Sequence, residues 1–185
     1  MSRPTADPVP LPSKVLRIAA ALAEVPHAFG GALALGFYAE PRATIDIDLN
    51  VFVAGTEFRS VMDALEPLGV GASAADADRA ARDGQVRVSW DRTPIDLFFA
   101  YDPFHTEAGA RCRQVGFAGA SIAVLAPEHL IACKAVFDRP KDWIDIDAIL
   151  AAGTAVDAAE AIRWVGRIAG DTDRRYRRLV AVLTS

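Results

Sequence analysis

The chain has 185 residues, of which 52% are hydrophobic and 24% charged, and its formal net charge is −4. This composition is typical of a compact domain with a buried core; it excludes a disordered chain and argues against a basic protein that coats nucleic acid. No apolar run reaches the roughly 18 residues of a membrane span. Cys112 and Cys133 lack a C-x-x-C spacing. We therefore expect a cytoplasmic protein with buried thiols and no disulfide.

Predicted secondary structure starts after a proline-rich leader, 1–12, with an amphipathic helix that Ser13 caps and that ends at about residue 25. A short strand over 27–29 follows. The pair Gly30-Gly31 then forms a turn into the run ALALGFYAE, which predicts a helix that the next proline closes. Strand, glycine turn and helix therefore follow one another in close order.

The middle of the chain predicts mainly strands. Residues 45–53 are β-branched and apolar, with early alternation, which indicates a strand, and a helix is expected over 56–68. Residues 72–84 fit either a helix or a loop. The run QVRVSWDRTPIDLFFA predicts a hairpin whose two arms are joined by DRTP.

The last third of the chain is predicted to be helical, after a short helix near 104–111 and strands near 114–117 and 121–124. Helices are expected over Pro127–Phe137, Pro140–Ala151, Ala155–Ile168 and Asp171–Leu183. We therefore predict an α+β fold, with a mixed β-sheet flanked by helices and a helical C-terminal part.

Two aspartates, Asp46 and Asp48, stand one residue apart at the start of a predicted strand. Residues two apart share a face of a strand, which puts their backbones roughly 6 to 7 Å apart and lets both carboxylates reach divalent ions. Asp96 lies in a second apolar strand. Three carboxylates on neighbouring strands are the usual protein contribution to a two-metal Mg²⁺ site. The alternative is that they are ordinary strand-end acids, solvated or salt-bridged.

A longer pattern surrounds these acids. The glycine pair, a helix and then RATIDIDL over 42–49 resemble the signature of the DNA polymerase beta-like nucleotidyltransferase superfamily. The downstream run LAPEHLIACKAVFDRPKDWIDIDAI narrows the resemblance to AbiEii-type nucleotidyltransferases, which include toxins of toxin-antitoxin systems. The resemblance covers roughly residues 27–150. It implies a nucleotidyltransferase core over 13–126 and a helical C-terminal region, 127–185, packed on it.

The resemblance also implies a reaction. Asp46 and Asp48 would bind the two magnesium ions that carry a nucleoside triphosphate, and Asp96 would complete the site of the ion that activates the attacking hydroxyl. A nucleoside monophosphate would pass to a hydroxyl of an RNA such as a tRNA end, a protein side chain or a small molecule such as an aminoglycoside or lincosamide. An antitoxin partner follows from the resemblance alone. The alternative is a catalytically silent nucleotide- or partner-binding domain with the same fold.

Five further residues are candidates for binding the nucleotide. Gly30 and Gly31 let the backbone approach phosphate oxygens at a helix N-terminus, although a plain tight turn explains them equally well. Arg42 and Thr44 would approach the phosphates or brace the aspartates, or lie in an exposed loop. Lys134 would face the triphosphate or an acid across a cleft; the alternative is a lysine at a helix rim with its amine in water.

Two more acids are candidates for a supporting role. Asp142 and Asp145 lie three residues apart on one predicted helix face. From there they could orient Lys134 or Arg139, although acids on helix surfaces are common.

Overall fold

The computed structural model describes residues 9–184, which form one seven-stranded mixed sheet with helices packed around it. The strands are β1 (His27–Phe29), β2 (Ile47–Ala54), β3 (Val70–Gly71), β4 (Gln85–Trp90), β5 (Thr93–Ala100), β6 (Arg113–Phe117) and β7 (Ala120–Val124). Their order across the sheet is β3-β4-β5-β2-β1-β7-β6.

The helices precede, interrupt and follow the strands. They are α1 (Leu11–Ala21), α2 (Gly31–Leu35), α3 (Phe58–Leu65), α4 (Ala74–Asp83), α5 (Pro103–Ala110), α6 (Pro127–Phe137), α7 (Pro140–Ala151), α8 (Ala158–Ala169) and α9 (Arg174–Leu183). Helix α6 contacts α2, α7, α8 and α9, and therefore joins the C-terminal helices to the sheet half of the molecule. None of the helices within residues 9–184 is long and apolar enough to cross a membrane.

Period-two burial in the central strands creates one apolar side and one polar side. In β2 and β5 the odd-numbered residues Leu49, Val51, Leu97 and Phe99 are fully buried in the core. The cleft is lined instead by even-numbered residues of these two strands and by odd-numbered residues of β4: Asp48, Asn50, Asp96, Phe98, Gln85 and Arg87. Because side chains alternate across a strand, the register of the three strands brings these polar groups to one face of the sheet.

The predicted α+β class, with its mixed sheet and helical C-terminal part, is confirmed. The predicted glycine-linked strand and helix are present, but α2 ends at Leu35 with Gly36 as its C-cap, and does not continue to the next proline. The predicted N-cap Ser13 is wrong. Helix α1 begins at Leu11, with Pro10 at the N-cap position, because Pro12 is compatible with the first turn of a helix.

One local feature decides a prediction that was left open, and a second shows that the predicted four-residue hairpin junction is wrong. Residues 74–83 are helical, and a capping box stabilises the start of this helix. The backbone N–H and the hydroxyl of Ser73 both donate to the Asp76 carboxylate. The hairpin turn is shorter than DRTP, since Trp90 already pairs with Thr93 and only Asp91 and Arg92 lie between the arms. Residues 1–8 of the predicted leader lie outside the described residues. The division of the chain into a leader, a core and a helical C-terminal region stays a prediction.

Candidate active site

A cleft of about 690 Å³ lies over the polar face of β2, β5 and β4. This volume is in the range of small-molecule sites. Helices α6, α7 and α8 contribute the other wall. Most of the predicted site residues line it: Gly31, Arg42, Thr44, Asp46, Asp48, Asp96, Lys134 and Asp142. Gly30 and Asp145 do not line the cleft but lie next to residues that do, Gly31 and Lys134, respectively.

The sheet register sets two catalytic candidates side by side. Strands β2 and β5 are parallel neighbours, and Asp48 on β2 pairs with Asp96 on β5, so that their backbones are about 4.8 Å apart. Asp46 directly precedes β2. The sequence placed these acids on neighbouring strands, and the structure brings all three into one cleft. Their catalytic roles stay predictions.

The three carboxylates differ in their partners. Asp96 accepts two hydrogen bonds from Arg87, at 2.8 Å from Nε and 2.6 Å from Nη2. Asp46 lies 3.7 Å from the same guanidinium. Within residues 9–184 the Asp48 carboxylate has neither a hydrogen bond nor an ion pair. Burial raises the pKa of Asp48, and Asp96 and Asp46 raise it further while Lys134 opposes them. The cluster is therefore short of positive charge.

The donor chemistry of this cluster fits Mg²⁺, which prefers carboxylate oxygens. In the present arrangement no set of three His, Cys, Asp or Glu side chains among residues 9–184 is positioned to hold a metal ion. At this site Arg87 donates hydrogen bonds to both oxygens of Asp96. The residues therefore fit the ion chemically, with Arg87 as their present counter-ion.

The glycine turn packs against Asp48. The Gly30 N–H donates to the Asp48 carbonyl at 2.9 Å. A Cβ at Gly31 would lie 1.7 Å from Asp48 Oδ2, and the Gly31 φ is +54°, where glycine is favoured. A Cβ at Gly30 would lie 2.8 Å from Asn50 Nδ2. Glycine at position 31 therefore leaves room for the Asp48 side chain, and glycine at position 30 leaves room for Asn50. Helix α2 has 5 residues, so its dipole is weaker than the sequence suggested.

A buried ion pair forms the opposite wall. Lys134 Nζ donates to Asp145 Oδ2 at 2.6 Å, and Arg42 reaches the same carboxylate at 3.1 and 3.0 Å. Burial raises the pKa of Asp145, but the hydrogen bonds from Arg42 and Lys134 outweigh it and hold the pKa below its usual value. Arg42 therefore holds Asp145 in place. The sequence had instead suggested that Arg42 contacts the strand aspartates or the phosphates. Thr44 Oγ1 contacts the backbone N–H and carbonyl of Asp46, both at 3.2 Å.

Asp142 organises a further cation at the cleft. Its carboxylate is fully buried and accepts hydrogen bonds from the backbone N–H, Nε and Nη2 of Arg139. Both Arg139 and Lys141 line the cleft. Asp142 and Asp145 thus contact Arg139 and Lys134, respectively, and their functional role remains a prediction.

The family model for "Nucleotidyl transferase AbiEii toxin, Type IV TA system" matches residues 15–180. The chain belongs to this family. The resemblance seen in the glycine turn and the acidic strand is thereby confirmed, and family and fold support a nucleotidyl-transferring enzyme. A comparison with curated proteins found no match.

Solved structures share the fold of this AbiEii-family chain. The antibiotic-resistance factor ANT(2'')-Ia in solution is 19% identical, with a TM-score of 0.59 over 94% of each chain. The crystal structure of ANT(2'')-Ia in complex with adenylyl-2''-tobramycin is 19% identical, with a TM-score of 0.54 over 94% of this chain and 96% of that one. At this identity the likeness establishes the nucleotidyltransferase fold alone.

Sequence reasoning missed Arg87, which donates two hydrogen bonds to Asp96 in this AbiEii-family chain. With a two-residue turn, Arg87 on β4 pairs with Asp96 on β5. Cross-strand rungs then run Asp48–Asp96–Arg87 and Asn50–Phe98–Gln85. A four-residue junction predicts a different register, in which Arg87 is not opposite Asp96. A two-residue turn at Asp91-Arg92 gives the observed pairing.

A second missed feature is an apolar wall, defined here as Phe98, Tyr101, Phe137 and Ile168, which all line the cleft. Tyr101 is 76%, Phe137 45% and Ile168 41% exposed. Phe98 and Phe137 are in ring contact, with centroids 5.9 Å apart. Phe98 follows Asp96 on the same face of β5, so the wall begins beside the acids, on the side away from the glycine turn. Exposed apolar groups concentrated in one cleft indicate a ligand surface.

Proposed function

We propose that the chain is a Mg²⁺-dependent nucleotidyltransferase that moves a nucleoside monophosphate from a nucleoside triphosphate to an acceptor hydroxyl. The observation that carries the proposal is the register of β2 and β5, which sets Asp48 beside Asp96 in a cleft that also contains the glycine turn. Carboxylates held this closely, with burial and like charge around Asp48, are an arrangement that a cation stabilises.

The triphosphate is assigned to the space between the glycine turn and the cations of α6 and α7. Backbone groups of Gly31 border this space, and Lys134, Arg139 and Lys141 line it. The positive charges of these side chains offset the negative charges of the phosphates. The buried ion pair with Asp145 fixes the position of Lys134. Nucleotidyl transfer needs mainly such positioning and charge neutralisation.

Asp46 and Asp48 would hold the ions that carry the triphosphate, and Asp96 the ion next to the acceptor. When bound, Mg²⁺ neutralises the charge of the phosphates and makes the acceptor hydroxyl more acidic. The acceptor oxygen bonds to the α-phosphorus, the bond from that phosphorus to the bridging oxygen breaks, and pyrophosphate leaves. Asp96 lies beside Asp48 on the neighbouring strand, and its carboxylate would hold the acceptor hydroxyl in line or take its proton.

The apolar wall favours an acceptor that presents an uncharged planar ring near its hydroxyl. Two carboxylates at this end of the cleft already have partners: Asp83 pairs with Arg82, and Asp102 accepts the N–H of Phe104 at the start of α5. The neutral N–H leaves the charge of Asp102 in place, so of these two carboxylates only Asp83 has its charge offset by a cation. RNA ends, protein side chains and small molecules remain candidates, and the toxin description of the family makes an antitoxin partner part of the proposal.

The test is incubation of the pure protein with each α-labelled nucleoside triphosphate, Mg²⁺, and either total tRNA or a cell lysate. Label on an acceptor is expected with the wild type and not with the Asp46→Asn, Asp48→Asn double variant. A matched control, Asp63→Asn with Asp147→Asn, makes the same charge change at exposed positions and should behave as the wild type. Equal labelling by the active-site variant would contradict the proposal.

A catalytically silent binding domain is the second candidate, because Arg87 neutralises Asp96 in this structure. That function predicts no label on any acceptor while nucleotide or partner binding persists. Calorimetry with each nucleoside triphosphate and Mg²⁺ separates the two. The enzyme proposal requires nucleotide binding that depends on Mg²⁺ and on Asp48.

A further inference from the structure

Arg87 touches two of the proposed metal-binding carboxylates, and the reaction outlined above gives it no task. Its guanidinium makes a two-point contact with Asp96 and lies 3.7 Å from Asp46. Side-chain exposure is 59% for Arg87 but 12% for Asp96. One partner is therefore held in the sheet, while the other projects into the open cleft.

The contact competes directly with a divalent ion. A fork-shaped guanidinium engages both carboxylate oxygens, and an ion bound to Asp96 needs at least one of them. Repulsion between the two cations adds to this competition for oxygens. Arg87 and a metal ion at Asp96 therefore exclude each other in this geometry.

Arg87 is free to move when a stronger ligand arrives. Within residues 9–184 its ion-pair partners are Asp96 and Asp46, and no other acid holds it in place. A charged pair that is largely exposed on one side is weakened by solvent. The incoming triphosphate brings divalent ions for the acids and anionic oxygens that attract the released guanidinium.

We propose that Arg87 is a displaceable counter-ion, which keeps divalent ions off Asp96 until a nucleotide brings them and accepts the guanidinium in exchange. This inference rests on the proposed metal-binding role of Asp46, Asp48 and Asp96. It makes Arg87 a positioning residue that couples metal occupancy to nucleotide binding. The free protein then avoids holding three unpaired carboxylates in one cleft.

The test uses Mn²⁺ as the probe and measures its binding to the nucleotide-free protein by calorimetry and by electron paramagnetic resonance. Arg87→Ala is expected to bind Mn²⁺ about tenfold more tightly than the wild type, since a competing cation is gone. Arg87→Lys keeps the charge without the fork and should fall between them. Arg82→Ala, which removes an equally forked contact to Asp83, is the matched control and should match the wild type.

The gain must depend on Asp96. Adding Asp96→Asn to Arg87→Ala should abolish it, and Mn²⁺ should raise the melting temperature of Arg87→Ala more than that of the wild type. Equal Mn²⁺ affinity in wild type and Arg87→Ala, with both sensitive to Asp96→Asn, would overturn the counter-ion inference and leave the proposed function intact. Absence of Mn²⁺ binding in every variant, with and without nucleotide, would overturn both.

Discussion

Replacing Gly31 with alanine is expected to displace the Asp48 carboxylate. The new Cβ would lie 1.7 Å from Asp48 Oδ2, 2.4 Å from Cγ and 2.9 Å from Cβ, whereas ordinary contacts begin at 3.4 Å. The oxygen must therefore move by about 1.7 Å, or the turn must move away from β2. The whole side chain is affected, because all three of its nearest atoms are too close.

The expected size of the effect has two parts. An alanine held at a φ of +54° costs about 1 to 2 kcal/mol of folding free energy. Misplacing a catalytic group by about 1 Å lowers rates by about 100-fold, and this displacement is larger. We therefore expect Gly31→Ala to lose about 2 kcal/mol of stability and at least about 100-fold of its transfer rate.

Gly36→Ala is the matched control. Gly36 ends the same helix at a φ of −62°, and its added Cβ would meet nothing closer than 3.5 Å. Its stability should equal or exceed that of the wild type by less than about 1 kcal/mol. Urea unfolding gives the stabilities and α-label transfer gives the rates. Wild-type transfer by Gly31→Ala would refute the placement of Asp48 in the reaction.

Other predictions concern the opposite wall and the acceptor. Asp145→Asn leaves the buried Lys134 amine without its counter-ion and should cost about 3 kcal/mol in urea unfolding at neutral pH, whereas Asp83→Asn at the surface should leave the stability close to that of the wild type. The pKa of Asp145 is lowered in the fold, so its contribution to stability is complete above the ordinary aspartate pKa and is lost as the pH falls through the lowered value. The difference in stability between wild type and Asp145→Asn should therefore shrink only below about pH 4. A smaller difference already near pH 6 would contradict the assignment. Phe137→Ala should lower transfer to the acceptor by about tenfold and leave nucleotide affinity within about twofold; a matching loss of nucleotide affinity would place the wall at the nucleotide.

The sequence predicts the elements of the site better than their contacts. Alternation in β2 and the glycine pair are local patterns, and they place Gly31 and Asp48 at element ends. The pairing of Asp48 with Asp96 joins strands that are distant in the chain, and no local rule selects it. Arg87 could be found only through the hairpin register, which depends on the length of the turn.

The apolar wall could not be predicted for a different reason. Phe98 and Phe137 stand in apolar runs, where they look like ordinary core residues. Both residues nevertheless line the cleft, which only the packing of β5 and α6 in three dimensions reveals. The Arg42–Asp145 contact likewise joins a loop to a helix more than 100 residues later, at a distance of 3.0 Å. Tertiary packing decides both.

The central claim is that the α-phosphoryl group, with its nucleoside, is transferred. Parallel reactions with α-labelled and γ-labelled nucleoside triphosphate, on whichever acceptor the first screen identifies, test it most directly. The account predicts that label from the α position appears on the acceptor while label from the γ position is released as pyrophosphate, and that Asp48→Asn abolishes both. Transfer of the γ-label, or unchanged α-transfer by Asp48→Asn, would contradict it.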